Sequence, residues 1–222
     1  MKVYIGVPTA EFARHAIFYD YLDFLEKPPN TIVRKFHTNS AAYNRNLIID
    51  DALANHCSHI LFIDDDMAFA PNALTRLLAH DENVVGGLYF NKAYPHPPVL
   101  FDQDLNRRYL DDDERGLLEV GACGFGFMLV NTDVFAKLDP PYVRHGELVQ
   151  DKRNEDIGFC DRLTDVGFII YCDLDVVVGH MGTATFWPSC KDGKWYTTID
   201  TGREEMVSVK QRTSNILTPL TK

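Results

Sequence analysis

Leu61-Phe62-Ile63-Asp64-Asp65-Asp66 is an apolar run that ends in three consecutive carboxylates. Residues 60–63 have the length and composition of a fully buried strand, and ligands of open α/β sheets gather at the carboxyl ends of such strands. In extended chain alternate side chains point the same way, so Asp64 and Asp66 share a face while Asp65 points elsewhere. Two like charges roughly 4–7 Å apart repel by a few kcal/mol at an effective dielectric near 20. A hard divalent cation with oxygen ligands offsets that repulsion simply. The competing reading is a solvated acidic turn that favours the N-terminus of the following helix through its dipole.

Outward from this junction, strands alternate with helices. Residues 2–7 form a β-branched run closed by Pro8, and 31–37 resemble a second strand. Between them, 10–26 carry Phe12, Ile17, Tyr21, Leu22 and Leu25 near helical spacing, ended by Lys27-Pro28-Pro29. Ser40 opens a helix through Ile48, Ile49 and Leu53. Beyond the carboxylates, Pro71 suits a first helical turn, with Leu74, Leu77 and Leu78 on the buried side. Residues 84–89 read as another strand. This alternation predicts an α/β fold: one mostly parallel central sheet with helices on both faces.

The second half is less regular. Tyr94-Pro95-His96-Pro97-Pro98 excludes helix, and the polar stretch 102–115 reads as a hairpin or loop. Residues 120–130 hold Gly121, Gly124 and Gly126 among apolar residues, and Asn131 or Thr132 is placed to cap the next helix. A helix is predicted over 154–166, stopped by Gly167. Residues 168–171 and 176–178 are strand-like, and the segment after His180 shows no clear period.

The 222 residues suffice for one domain with a proper core. A formal charge of −10 disfavours nucleic acid and anionic membranes as partners. Five cysteines with no CxxC pair read as reduced thiols in a cytoplasmic protein rather than a disulfide framework or zinc site. No apolar stretch reaches the length of a signal peptide core or a transmembrane span.

Three further groups carry chemistry. Asn154-Glu155-Asp156 opens a helix, either as an ordinary cap or with Glu155 or Asp156 as general base on an acceptor hydroxyl. His180, between Gly179 and Gly182 at a strand end, is a candidate metal ligand through a neutral imidazole. The Gly124 region marks a bulge or a close backbone approach. There is no dinucleotide fingerprint, P-loop, GxSxG or HExxH motif.

In this order, Val3–Thr9, Ala42-Tyr43-Asn44-Arg45-Asn46, residues 61–67, residues 121–130, Glu155-Asp156-Ile157-Gly158-Phe159 and Gly179-His180 resemble the metal-dependent GT-A glycosyltransferases, in particular the family-2-like enzymes. The resemblance implies a single GT-A (Rossmann-like) domain over residues 1–222. About 1–100 would be its nucleotide-sugar half, and about 101–222 its acceptor-binding and catalytic half. It makes Asp64-Asp65-Asp66 the DxD element, with Asp66 on a manganese or magnesium ion and Asp64 on the metal or the ribose. His180 completes the metal shell. Pro8, Thr9, Arg45 and Asp65 line the donor site, Lys92 neutralises phosphate, and Gly124 passes under the donor sugar. Asp156 matches the base of inverting members. The implied reaction moves a sugar from a UDP- or GDP-sugar to a hydroxyl acceptor such as a glycan.

No QxxRW element is present, which separates the chain from processive polysaccharide synthases. Trp187, Trp195 and Tyr196 are candidates for stacking a sugar, or for packing against the sheet. Lys191 and Lys194 are further candidates to neutralise phosphate. The alternatives are a nucleotidyltransferase of related fold and a non-catalytic sugar- or nucleotide-binding domain. Pro8-Thr9-Ala10-Glu11, in place of a glycine- and lysine-rich loop, counts against the former.

Overall fold

In the computed structural model, residues 1–9, 16–144, 154–201 and 206–210 are described, the last five by backbone alone. Among them, four helices and thirteen strands follow in chain order. β1 (Val3–Thr9), α1 (Ala16–Phe24), β2 (Ile32–His37), α2 (Ala41–Ala54) and β3 (His59–Ile63) form the first half of a βαβ wind. Then come β4 (Met67–Phe69), α3 (Ala73–Ala79), β5 (Val84–Leu88), β6 (Leu100–Phe101), β7 (Leu117–Val120), β8 (Ala122–Cys123) and β9 (Phe127–Asn131). A 3₁₀ turn (Thr132–Lys137), α4 (Glu155–Asp165), β10 (Ile170–Met181), β11 (Thr185–Lys191), β12 (Lys194–Asp200) and β13 (Met206–Lys210) complete the fold.

The central strands lie in the order β2-β1-β3-β9-β5-β10. β2, β1 and β3 run parallel, and so do β5 and β10, whereas β9 is inserted antiparallel to both β3 and β5. Five of these six strands therefore point one way, as the alternating pattern predicted. Buried on both faces, β3 has an uninterrupted apolar run from Ile60 to Ile63, all fully inaccessible.

Two apolar layers clothe the sheet. On one face Ile48, Ile49 and Ala52 of α2 pack with Phe159, Cys160 and Leu163 of α4 around Phe62 and Phe125. On the other, Phe18 and Leu22 of α1 and Leu74 and Leu77 of α3 cover Ile5, Leu61 and Ile63. No helix among the described residues is long and apolar enough to cross a membrane. All five cysteines are free thiols.

Local signals explain most helix ends. Ser40 accepts from the Tyr43 amide at 3.3 Å and starts α2, and Asn131 caps the 3₁₀ turn through the Asp133 amide. Gly167, at φ +92°, terminates α4 after its C-cap Val166. Pro71 precedes α3 rather than sitting within it; its carbonyl accepts from the Glu26 amide at 2.7 Å. The helix expected over 10–26 is described from Ala16 onward, and residues 10–15, with Phe12, lie outside the described residues.

Three expectations are corrected. The strand-like pieces 168–171 and 176–178 are one strand, β10, with a register shift between Asp173 and Val177. There Asp173, almost fully buried, is held by His80 at 2.8 Å and by the Asp175 amide at 2.8 Å. The segment after His180 is not irregular: β11, β12 and β13 form an antiparallel ribbon. Its first turn is Asp192-Gly193, both at positive φ (52° and 74°), the two-residue geometry that matches strand twist. Lastly, Asn154 stands at the N-cap of α4 without a side-chain cap bond.

Candidate active site

The carboxyl ends of β1 and β3 and the start of α2 open onto a cavity of about 480 Å³. Pro8 and Thr9 from β1, Thr38 and Asn39 after β2, Ala41, Asn44 and Arg45 from α2, Asp64, Asp65 and Asp66 after β3, and Glu155 from α4 line it. Parallel strands whose right-handed crossovers place their helices behind the sheet leave such a crevice at this edge.

The three aspartates do not continue the strand. The Met67 amide donates to the Asp64 carbonyl at 3.2 Å, so the chain turns at 64–67 and pleated alternation ends at Ile63. Asp64 and Asp66 accordingly face different partners. Asp64 Oδ1 accepts from Arg45 at 2.8 Å. Asp66 Oδ2 accepts from Lys92 Nζ at 2.6 Å and lies 3.6 Å from His180 Nε2. Lys92 also donates to the Met181 carbonyl at 3.1 Å. The protein itself thus supplies cations to both carboxylates that were expected to demand a metal.

Arg45 is the hub of the arrangement. Its guanidinium is 5% accessible and grips Asp64 at 2.8 Å and Glu155 at 2.7 Å, above the Phe125 ring at 4.5 Å. Both terminal nitrogens are therefore engaged within the protein, so Arg45 lines the cavity as a bridge between β3 and α4. Only with both carboxylates present is so buried a cation tolerable. Glu155, not Asp156, is the acidic residue of α4 that lines the cavity. Asp156 lies beside it and accepts from the Ile157 amide at 2.8 Å.

These contacts set the ionisation of the site. Burial pushes the Asp156 carboxyl up to about 6, and the neighbouring Glu155 charge adds to the effect. For Asp66 burial also acts upward, but the adjacent His180, 3.6 Å away, and then the Lys92 ammonium prevail and hold it at about 2. Asp64 is raised, burial being the first cause, with Arg45 opposing and Asp66 reinforcing.

Gly124 and Gly126 flank Phe125 behind the carboxylates. The Gly126 carbonyl accepts from the Asp64 amide at 3.0 Å, and its own amide donates to Tyr89 Oη at 3.3 Å. A Cβ on Gly124 would overlap Tyr89 Oη, and one on Gly126 would press on Met67 and the Tyr89 ring. The need for glycine here comes from buried Tyr89, whereas the family resemblance placed a donor sugar against Gly124.

Asp66 and His180 are of the donor types that a divalent cation takes. The His180 Nδ1 lies 3.0 Å from the Phe90 carbonyl, which can only accept, so Nδ1 donates there and Nε2 is turned to Asp66. Such a backbone anchor is how ligating histidines are oriented. No cluster of three or more His, Cys, Asp or Glu groups suited to a metal occurs among the described residues. The remaining places for a cation's ligands would come from Asp64, a diphosphate or water.

Sequence reasoning missed Glu155 as the Arg45 partner, Thr38 and Asn39 at the β2 end, and Tyr89. The signal for Thr38-Asn39 was available: they follow a parallel strand at its carboxyl end. Two of the tail aromatics pack against the fold. Trp195 is buried under Arg115, whose guanidinium lies 4.6 Å from its ring, and Trp187 lies against Gly179. Lys191 and Lys194 flank the exposed Asp192-Gly193 turn.

No protein-family model matches the chain, and none of the curated proteins matches it in sequence. Among solved structures, A197 from STIV superposes with a TM-score of 0.63 at 17% identity, over 97% of this chain and 98% of that one. The same architecture is therefore shared along essentially the whole length of both. The glycosyltransferases GalNAc-T7, crystallised with UDP, GalNAc and Mn2+, and S. aureus TarS each give 0.49. Their identities are 11% and 14%, over 82% and 78% of this chain but only 44% and 58% of theirs.

Proposed function

We propose that the chain is a GT-A-type glycosyltransferase that moves a sugar from a UDP- or GDP-sugar to a hydroxyl acceptor with inversion. One observation carries the reading. Residues scattered from Pro8 to Glu155 in sequence converge on one cavity at the carboxyl edge of the sheet. Its floor is the carboxylate triplet, and beside its Glu155 wall stands Asp156, an acidic residue with a raised pKa.

In this reading Pro8, Thr9 and Asp65 border the nucleoside, and Lys92 serves the diphosphate. Asp66 and His180, with Asp64 beside them, would hold a manganese or magnesium ion. When bound, such an ion stabilises the charge that develops on a departing diphosphate. Arg45 and Glu155 fix the first turn of α4 relative to Asp64. Asp156 takes the proton of the acceptor hydroxyl as its oxygen attacks the anomeric carbon and the bond to phosphate breaks on the opposite face. A carboxyl near pKa 6 suits a base working at neutral pH. Residues up to about 100 would supply most of the donor site and the remainder most of the acceptor site. The free thiols suit a cytoplasmic setting.

Thermal unfolding with a panel of UDP- and GDP-sugars, with and without Mn2+, tests the reading. A matching donor at one hundred times its Kd stabilises by about 2.7 kcal/mol, and Asp66→Ala should abolish the Mn2+-dependent part. A panel in which no diphosphate sugar moves the transition, with or without Mn2+, refutes it. Stabilisation by nucleoside triphosphates alone would favour nucleotidyl transfer instead.

A further inference from the structure

The Lys92 ammonium stands where a metal would act. It donates to Asp66 Oδ2 at 2.6 Å and to the Met181 carbonyl at 3.1 Å, next to His180. Two other carboxylates at the cavity, Asp64 and Glu155, are held by Arg45, which is buried. Lys92 differs: its side chain is 32% accessible and its stem runs past Gly182, where a Cβ would come within 3.1 Å of Lys92 Cδ. Its backbone is fixed. Asn91 donates to the Pro97 carbonyl at 2.9 Å, Ala93 donates to Asn91 Oδ1 at 2.8 Å, and His96 Nδ1 lies 3.1 Å from the Asn91 carbonyl. These bonds pin the loop backbone around Lys92.

Resting on the functional reading above, we infer that Lys92 is a resident counter-cation that competes with the divalent ion for Asp66. It exchanges that carboxylate for the donor diphosphate when the donor binds. A monovalent and a divalent cation cannot share one carboxylate oxygen without strong mutual repulsion. The free protein therefore holds metal weakly. A diphosphate offers the ammonium a second anionic partner, releases Asp66, and lets metal and nucleotide enter together. Binding of the two is coupled, and by linkage each raises the affinity of the other by the same factor. The arrangement also keeps Asp66 neutralised whenever the site lacks donor, which a strand-end carboxylate beside Asp64 and Asp65 requires.

The test is Mn2+ binding, read from the electron paramagnetic resonance of free Mn2+, for the wild type, Lys92→Met and Lys92→Arg, with and without UDP or GDP. Circular dichroism melts check that each variant is folded. Without nucleotide, Lys92→Met should bind Mn2+ at least about tenfold more tightly than wild type, because the competing charge is gone. The enhancement of Mn2+ affinity by nucleotide should shrink in that variant, while Lys92→Arg, which keeps the charge, should bind metal alone as weakly as wild type. If Lys92→Met gains no affinity while nucleotide still strengthens Mn2+ binding in the wild type, Lys92 does not compete, and the functional reading survives. If no variant binds Mn2+ under any condition, both the inference and the metal site of the functional reading fall.

Discussion

Replacing Asp156 by Asn should make the protein more stable and catalytically dead, and the size of the first effect follows from the site. The Asp156 carboxyl is pushed from an ordinary value of 3.8 to about 6, first by burial and then by Glu155. A displacement of that size corresponds to roughly 3 kcal/mol of preference for the protonated form. Because the folded pKa is the higher one, the native state keeps a proton that the unfolded chain has lost between about pH 4 and pH 6. Stability therefore falls as pH rises through that window and is level above it. Asparagine never ionises and still accepts from the Ile157 amide. The variant should match the wild type near pH 4, pull ahead through pH 6, and lead by up to about 3 kcal/mol at about pH 8. For a chain of this size that is a rise in Tm of roughly 6–12 °C. Chemical denaturation at a series of pH values measures the difference directly. In parallel, wild-type transfer should climb through about pH 6 to a plateau, since only the ionised carboxylate can take a proton. A stability difference that does not vary with pH would show that Asp156 is not held neutral and would remove the basis for its role as base.

Two other perturbations probe the frame of the site. Arg45→Met leaves Asp64 and Glu155 facing each other without their shared cation, and should cost about 3 kcal/mol in urea unfolding. Adding Asp64→Asn and Glu155→Gln should recover part of it, and full additivity would refute the bridge. Gly124→Ala drives a methyl into Tyr89 and should destabilise by about 1–3 kcal/mol. Tyr89→Phe, which removes the overlapping oxygen, should relieve that loss in a double-mutant cycle, and a cycle without coupling would place the strain elsewhere.

Much of the architecture was legible because it depends on short-range pattern. The Ile60 to Ile63 run, the Ser40 cap, the Gly167 stop and the alternation of strand with helix each follow from burial or backbone chemistry within a few residues. The antiparallel ribbon after His180 was written there too, in Asp192-Gly193, a turn signal that the apparent lack of period obscured. The merger of two strand-like pieces into β10 was not, since it depends on Asp173 finding His80, 93 positions away, at the register shift.

At the site, residue types were readable and partnerships were not. The sequence by itself marked Asp64, Asp66, His180 and Asp156 as groups with chemistry from their places at strand and helix ends, and the family resemblance added Arg45 and Lys92. Only the tertiary structure decided that Arg45 joins Asp64 to Glu155 across 110 positions, and that Lys92 reaches Asp66 across 26. It also decided that a turn, rather than pleated strand, directs the two aspartates to separate cations. The physical reason is the range of the forces. Local sterics and hydrophobic pattern act within a few residues, whereas the neutralisation of a buried charge is settled by whichever opposite charge the fold brings within about 3 Å.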